Sequence, residues 1–223
     1  CPAGGKGNRL VTRSIYVLSN NAKTKFADWV AYRIDASMLG GESGDRKWKA
    51  DPLLPADETL EPEDYEGANK KLAVDRGHQA PLASFSKTGH AAETNYLSNI
   101  TPQKSALNQG PWVRLETKER EMARNHLIYV TTGPLYQKGM PKLPGADEDH
   151  EVPSGYWKAI AAVDKAGSVH VAGFVMNQDL ARDADYADQV VTVDHIEQAS
   201  GLDLFWQLDD SAEETLESER DIN

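Results

Sequence analysis

Val74-Asp75-Arg76-Gly77-His78-Gln79-Ala80-Pro81 sets a cation, a glycine and a titratable imidazole side by side just after an apolar run. A second block, Asn95-Tyr96-Leu97-Ser98-Asn99-Ile100-Thr101-Pro102-Gln103, leads into Leu107-Asn108-Gln109-Gly110-Pro111-Trp112-Val113-Arg114-Leu115-Glu116. Together they supply an imidazole able to stay neutral, two carboxamide oxygens, a carboxylate and a guanidinium. Metal-assisted phosphodiester cleavage needs these parts: a base to deprotonate water, hard oxygen ligands for a Mg2+-like ion, and fixed positive charge for the phosphate oxygens. His78 alone would read as an ordinary turn histidine, and its neighbours reverse that.

Other chemical signals are weaker. Asp147-Glu148-Asp149-His150-Glu151 matches neither an EF-hand loop nor HExxH and reads as a solvated loop. His90, His126, His170 and His195 lack ligand spacing, and no P-loop, dinucleotide fingerprint or Gly-x-Ser-x-Gly elbow occurs. Asn99-Ile100-Thr101 is formally a glycosylation acceptor, but a glycan there is incompatible with an active centre.

The elements that must carry these residues read as α+β: a single domain, 1–223, with a central antiparallel sheet flanked by helices. Strands are expected over Ser14–Leu18 and Ala27–Ile34, with a turn at Asn20-Asn21. Residues 35–69 read as a long loop with short helical turns, holding the basic island Arg46-Lys47-Trp48-Lys49. A short strand ends at Asp75, after which Gly77 frees the backbone so that Arg76 and His78 point at one centre. Tyr96–Thr101 reads as a strand ended by Pro102, and Ser105–Arg124 as a helix that Gly110-Pro111 interrupts or delays. Were that helix continuous, Asn108, Trp112 and Glu116 would share an arc of about 80°. Leu127–Thr132 is a strand closed by Gly133-Pro134. Tyr156–Val163 and Ser168–Met176 form a hairpin about Asp164-Lys165-Ala166-Gly167. After a strand over Val190–Val193, Asp194 and Glu197 have capping-box spacing, and Gly201 is placed to stop the helix. The carboxylate-rich stretch 209–223 is expected to be an exposed helix or frayed tail.

Of 223 residues, 39% are hydrophobic and 26% charged, which suits a globular protein with a substantial core. No run is long and apolar enough for a membrane span, and the first residues lack a signal-peptide core, as a mature exported chain would. Cys1 is the single cysteine, so no internal disulfide can form. Net charge is −11, from 24 Lys and Arg against 35 Asp and Glu, a balance that by itself opposes a polyanionic partner.

The segments Asp75–Pro81, Asn95–Gln103 and Asn108–Glu116 resemble the signature of the DNA/RNA non-specific endonucleases, enzymes with a ββα-metal (His-Me finger) motif. The similarity runs from about Cys1 to about Leu208 and includes Phe26–Tyr32, Thr132–Tyr136 and Val191–Asp194. The resemblance implies hydrolysis of DNA and RNA, single or double stranded, to products with 5′-phosphate ends. His78 would be the general base and Asn108 the direct protein ligand of Mg2+, or of another divalent ion such as Mn2+. Glu116 would hold the ion's water and help deliver a proton to the leaving 3′-oxygen. Arg46 would neutralise charge on the phosphoryl group, Arg76 would grip a phosphate, and Asn99 would orient His78 or the phosphate. Asp75 would support the loop. Family habit further implies a secreted protein, extracellular or periplasmic, acting as monomer or homodimer. The alternative is a catalytically silent nucleic-acid-binding or interaction protein on the same scaffold. A sequence-selective toxin nuclease is disfavoured, since no delivery domain is attached.

The acidity has a consequence for salt dependence. Long-range repulsion of a polyanion is screened over about 8 Å at 0.15 M salt and about 3 Å at 1 M, whereas short-range contacts to metal and arginine are screened less. Turnover of plasmid is therefore expected to hold or rise from low to near-molar NaCl; steep monotonic loss from the lowest salt would contradict this.

Overall fold

Strands rich in β-branched and aromatic residues make the frame. A computed structural model describes residues 1–4, 7–42, 44–207 and 215–218. Within them, β1 (Arg9–Thr12), β2 (Tyr16–Asn21), β3 (Phe26–Ile34), β6 (Leu127–Leu135), β7 (Gly155–Val163), β8 (Val169–Asn177) and β9 (Val190–Val191) pair antiparallel, in that order, as one sheet. β4 (Val74–His78) and β5 (Ile100–Lys104) form a separate two-stranded ribbon. They are accompanied by α1 (Ala68–Leu72), α2 (Ser105–Leu107), α3 (Val113–Met122) and α4 (Val193–Ser200). The expected α+β architecture with a central antiparallel sheet is what the chain adopts.

The alternation of side chains along β7 explains the layers. Tyr156, Ile160 and Ala162 join Leu18, Val30, Tyr32 and Val130 in a core capped by Leu107, Trp112, Leu115 and Met122 from the α2–α3 region. Trp157 and Ala159 face the other way, against Val193 and Ile196 of α4. A third cluster, including Phe26, Leu60, Tyr65, Val74 and Ile100, lies beneath the ribbon.

One charged group interrupts the first core. Lys158 of β7 is fully buried, with Nζ 2.6 Å from Glu119 Oε1 on α3, and Tyr32 donates to Glu119 Oε2 at 3.0 Å. The same ammonium lies 4.5 Å from the centre of the Trp112 ring. The pair fastens α3 to the sheet.

Several boundaries differ from the sequence reading. β2 runs through Asn20-Asn21, and the chain turns after them, at 22–25. Leu97–Asn99 is a single 3-10 turn, and the strand begins at Ile100 and continues through Pro102, which pairs with Arg76. A two-stranded ribbon leaves each strand a free edge, where a missing N–H is tolerated. β6 likewise runs through Gly133-Pro134, where a Cβ on Gly133 would lie 2.3 Å from the Asp28 carbonyl oxygen. Thr192, not Asp194, caps α4, accepting from the His195 N–H, while Gly201 ends it in the left-handed conformation as expected. The hairpin about 164–167 forms, with Asp164 accepting from the Ala166 and Ser168 amides. Of the expected tail over 209–223, only residues 215–218 are among those described.

Breaking a buried ion pair at one partner strands the other charge. Glu119→Ala is expected to lower unfolding free energy by about 3–5 kcal/mol, and Glu119→Leu combined with Lys158→Met to recover most of that loss. Urea titration decides it: a single-variant loss below about 1 kcal/mol would show that the pair is unimportant.

Candidate active site

The period of β4 sets the first half of the site. Val74, Arg76 and His78 project to one side of the ribbon. Gly77 lies inside the strand rather than acting as a hinge: a Cβ there would sit 2.5 Å from Gln103 Oε1, so glycine permits close passage of β5. A cavity of about 530 Å3 opens on this side, and Arg46, Arg76, His78, Asn108, Glu116 and Arg120 all line it.

The helical half depends on a break. Between α2 and α3, Asn108–Trp112 forms a single wide turn in which Gly110 leaves helical geometry at φ −113, ψ −116. A side chain on Gly110 would collide with the Arg182 carbonyl at 2.4 Å. The expected shared arc is therefore not kept: Trp112 turns into the core, 1% exposed, while Asn108 and Glu116 border the cavity. On α3, Leu115, Glu119 and Met122 are buried, leaving Glu116 and Arg120, one turn apart, to face the cavity.

Asp75 joins the two halves. Its carboxylate accepts from the side chains of Asn69 (2.8 Å), Ser105 (2.7 Å), Asn108 (3.1 Å) and Gln109 (2.7 Å). Burial pushes its pKa up, but these donors outweigh burial and hold it below the ordinary value. Because Asn108 spends its Nδ2 on Asp75, its carboxamide oxygen must point away from that carboxylate.

His78 is bonded through Nε2 to Asn95 Oδ1 at 3.0 Å, and its ring lies 5.3 Å from that of Trp48. A carboxamide oxygen can only accept, so in the neutral ring the proton is on Nε2 and Nδ1 keeps the lone pair. Burial lowers the imidazole pKa to about 4, the Asn95 bond opposes this, and Arg46 adds to it. Glu116 is shifted the other way, to about 7, chiefly by burial, with Lys158 pulling it down and Glu119 pushing it up.

The arginines arrive by different routes. Arg46 is exposed, and its segment docks beside the ribbon where Lys49 bridges Tyr96; the Lys49 carbonyl accepts from the Leu97 N–H at 2.9 Å. Asp51 anchors the same segment, fully buried against Arg13 and Ser98. Arg76 donates to the Pro62 carbonyl at 2.7 Å and lies over the rings of Tyr65 and Trp48. Arg120 donates to Thr117 Oγ1 at 2.8 Å. Asn99 is the sequence candidate that does not reach the cavity. It is fully buried, accepting from the Ala80 N–H at 2.8 Å and donating to the Ala80 and Thr94 carbonyls. It clamps the chain two residues beyond His78.

Sequence reasoning missed Asn95, Gln109 and Arg120. Arg120 had a signal, its i+4 relation to Glu116. Asn95 and Gln109 had none, since their partners are set by tertiary contact.

The two shifts oppose each other in pH. With a pKa of about 4 folded and 6.5 unfolded, His78 binds fewer protons in the native state between those values, so its contribution to stability is lost as pH falls through that window. Glu116, raised from 4.5 to about 7, binds more, and its contribution is lost as pH rises from about 4.5 to about 7. Replacing His78 by Ala removes only the first effect. The stability difference between wild type and His78→Ala should therefore move in the variant's favour as pH falls from 6.5 towards 4. Urea midpoints across that range measure it, and a difference independent of pH would refute the buried neutral imidazole.

Known proteins resemble this chain along most of its length. The profile of the DNA/RNA non-specific endonuclease family matches residues 2–211. A nuclease of Serratia marcescens is 47% identical over 222 residues, 98% of this chain and 83% of the relative. Human mitochondrial endonuclease G is 31% identical over 208 residues, 87% of this chain and 68% of the relative. Among solved structures, the EndoG/EndoGI complex, which addresses the mechanism of EndoG inhibition, has a chain that overlays with a TM-score of 0.79 at 26% identity. The overlay covers 91% of this chain and 87% of that one. With the family's profile spanning nearly the whole chain and a nuclease matching it at 47% identity, this protein belongs to the DNA/RNA non-specific endonucleases.

Proposed function

We propose that the cavity hydrolyses the P–O3′ bond of DNA and RNA, single or double stranded, leaving a 5′-phosphate and a 3′-hydroxyl. The observation that carries this is the meeting of a neutral imidazole, His78, with Asn108, Glu116 and three arginines around one cavity.

The residues present suit a divalent ion, Mg2+ or an alternative such as Mn2+. Asn108 offers one carboxamide oxygen held in orientation by Asp75, and Glu116 lies on the same wall. So sparse a set of protein ligands fits an ion that keeps most of its waters. Held by Asn108 and Glu116, such an ion would supply Lewis acidity to the phosphoryl group and charge stabilisation to the departing 3′-oxygen. His78 takes a proton from the attacking water through the nitrogen not bonded to Asn95, and the water oxygen bonds to phosphorus as the P–O3′ bond breaks. Glu116, with a pKa near 7, is suited to pass a proton to the leaving oxygen. Arg46 and Arg76 hold the phosphate oxygens, and Asn99 positions His78 through the backbone of Ala80. A site built on phosphate contacts reads little sequence, consistent with broad substrate range.

The same reading extends to salt-tolerant turnover, to action outside the cytoplasm, extracellular or periplasmic, and to a monomer or homodimer. Human endonuclease G is named for mitochondria, so destination varies among relatives.

His78→Ala is expected to lower plasmid cleavage about 10^2–10^4-fold, and EDTA to abolish it. Asp75→Asn should raise the half-saturating Mg2+ concentration about 10–100-fold by loosening Asn108. Binding of plasmid without cleavage in wild type, His78→Ala and EDTA alike would favour the silent binding module instead.

A further inference from the structure

A second groove, of about 300 Å3, shares Ala83 and Arg120 with the His78 cavity. Its remaining walls include Gly41, Ser86, Glu121 and Arg124. Lys87 stands at its edge, with Nζ 3.8 Å from where a Cβ on Gly40 would lie. The loop opposite is tightly apposed: the Gly41 N–H donates to Ser86 Oγ at 3.0 Å, and a Cβ on Gly41 would meet the Ser86 carbonyl at 2.4 Å.

Lys87 and Arg124 are exposed, and neither they nor Arg120 takes part in an ion pair among the described residues, in a chain with net charge −11. The Arg120 Nη1 is buried and has no hydrogen-bond partner there. Cations left unpaired where carboxylates are plentiful point to an anion supplied from outside. Glu121 is the one acidic side chain in the groove wall, against Arg120 and Arg124 with Lys87 at the edge. Arg120 follows Glu116 by one turn of α3, an advance of about 6 Å, and Arg124 lies in the turn just beyond the helix end at Met122. That step is on the scale of one nucleotide.

We propose that this groove is a subsite for a backbone phosphate of the polynucleotide, neighbouring the one being cleaved, held by Arg120, Arg124 and Lys87. It rests on the nuclease reading above and adds where the rest of the strand lies. Arg120, common to both cavities, bridges the scissile and neighbouring phosphates.

The test compares duplex DNA with bis(p-nitrophenyl) phosphate, a single diester too short to reach the groove. In Lys87→Ala/Arg124→Ala, the slope of log(1/KM) against log[NaCl] for duplex, whatever its wild-type value, should shift in the positive direction by about 0.9 per lost contact, about 1.8 in all. KM on duplex should rise several times more than KM on the small diester, and Lys87→Arg/Arg124→Lys should restore both slope and KM. An unchanged slope, or equal losses on both substrates, would overturn the subsite. Failure of the enzyme reading is distinguishable, because His78→Ala would then cleave duplex as wild type does.

Discussion

A single carboxylate holds the two halves of the site in register. Asp75 gathers donors from α1, from α2 and from the turn between α2 and α3, and it does so from the strand that also carries His78. The arrangement extends outward: Gln109, bonded to Asp75, accepts from Arg182 at 2.6 Å, and Arg114 donates to the carbonyls of Arg182 and Ala184. Asn108 is thus fixed on a turn braced from both sides. A carboxamide so held, with its Nδ2 given to Asp75, has no choice about which atom it presents to the cavity.

The electrostatics of the cavity follow from what its arginines are not bonded to. Elsewhere in the described residues Arg9, Arg13 and Lys158 are matched with carboxylates. Arg76 is held by a carbonyl and two rings, and Arg120 by a hydroxyl. Neutral partners fix geometry without cancelling charge, and the carboxylates that share the cavity with these arginines are Asp75, spent on its four donors, and Glu116, whose pKa Arg120 pulls down. Net acidity and phosphate binding are therefore compatible: the repulsion is spread over the surface and screened by salt, while the attraction is concentrated where screening is weakest. Burial lowers the pKa of His78 and raises that of Glu116, so one physical cause shifts two groups of the same cavity in opposite directions.

What could be read beforehand was what local period and composition control. The alternation in β3, β7 and β8 and the turn at Asp164–Gly167 are local, and so are the segments that bring His78, Arg76, Asn108 and Glu116 to one cavity. What could not be read was decided by distant neighbours. The break at Gly110-Pro111 was legible, but not that Arg182, seventy-two residues on, lies too close to Gly110 for any Cβ, and Pro102 stays in a strand because the ribbon has no third member. Asn95 becomes the partner of His78 only once the ribbon and the preceding turns have folded together. Asn99 was legible as important and not as to its task, since nothing local indicates that its amide faces Ala80 rather than the cavity.

The buried pair of Lys158 and Glu119 completes the logic. Apolar residues of similar volume could stabilise the same interface as well or better, so stability alone does not account for it. What a charge pair adds is rotational specificity. Lys158 reaches one carboxylate on α3, and a slip of that helix by one residue would turn it by about 100° and leave both charges unpaired in a dry core. Glu116 and Arg120 flank Glu119 on the same helix, so the rotation that satisfies the ion pair is also the one that delivers them to the cavity. The two charges act on Glu116 in opposite senses, Lys158 lowering its pKa and Glu119 raising it. The helix is thus fixed by strong charges whose effects on the carboxyl group above them partly offset, leaving burial as the dominant influence on Glu116.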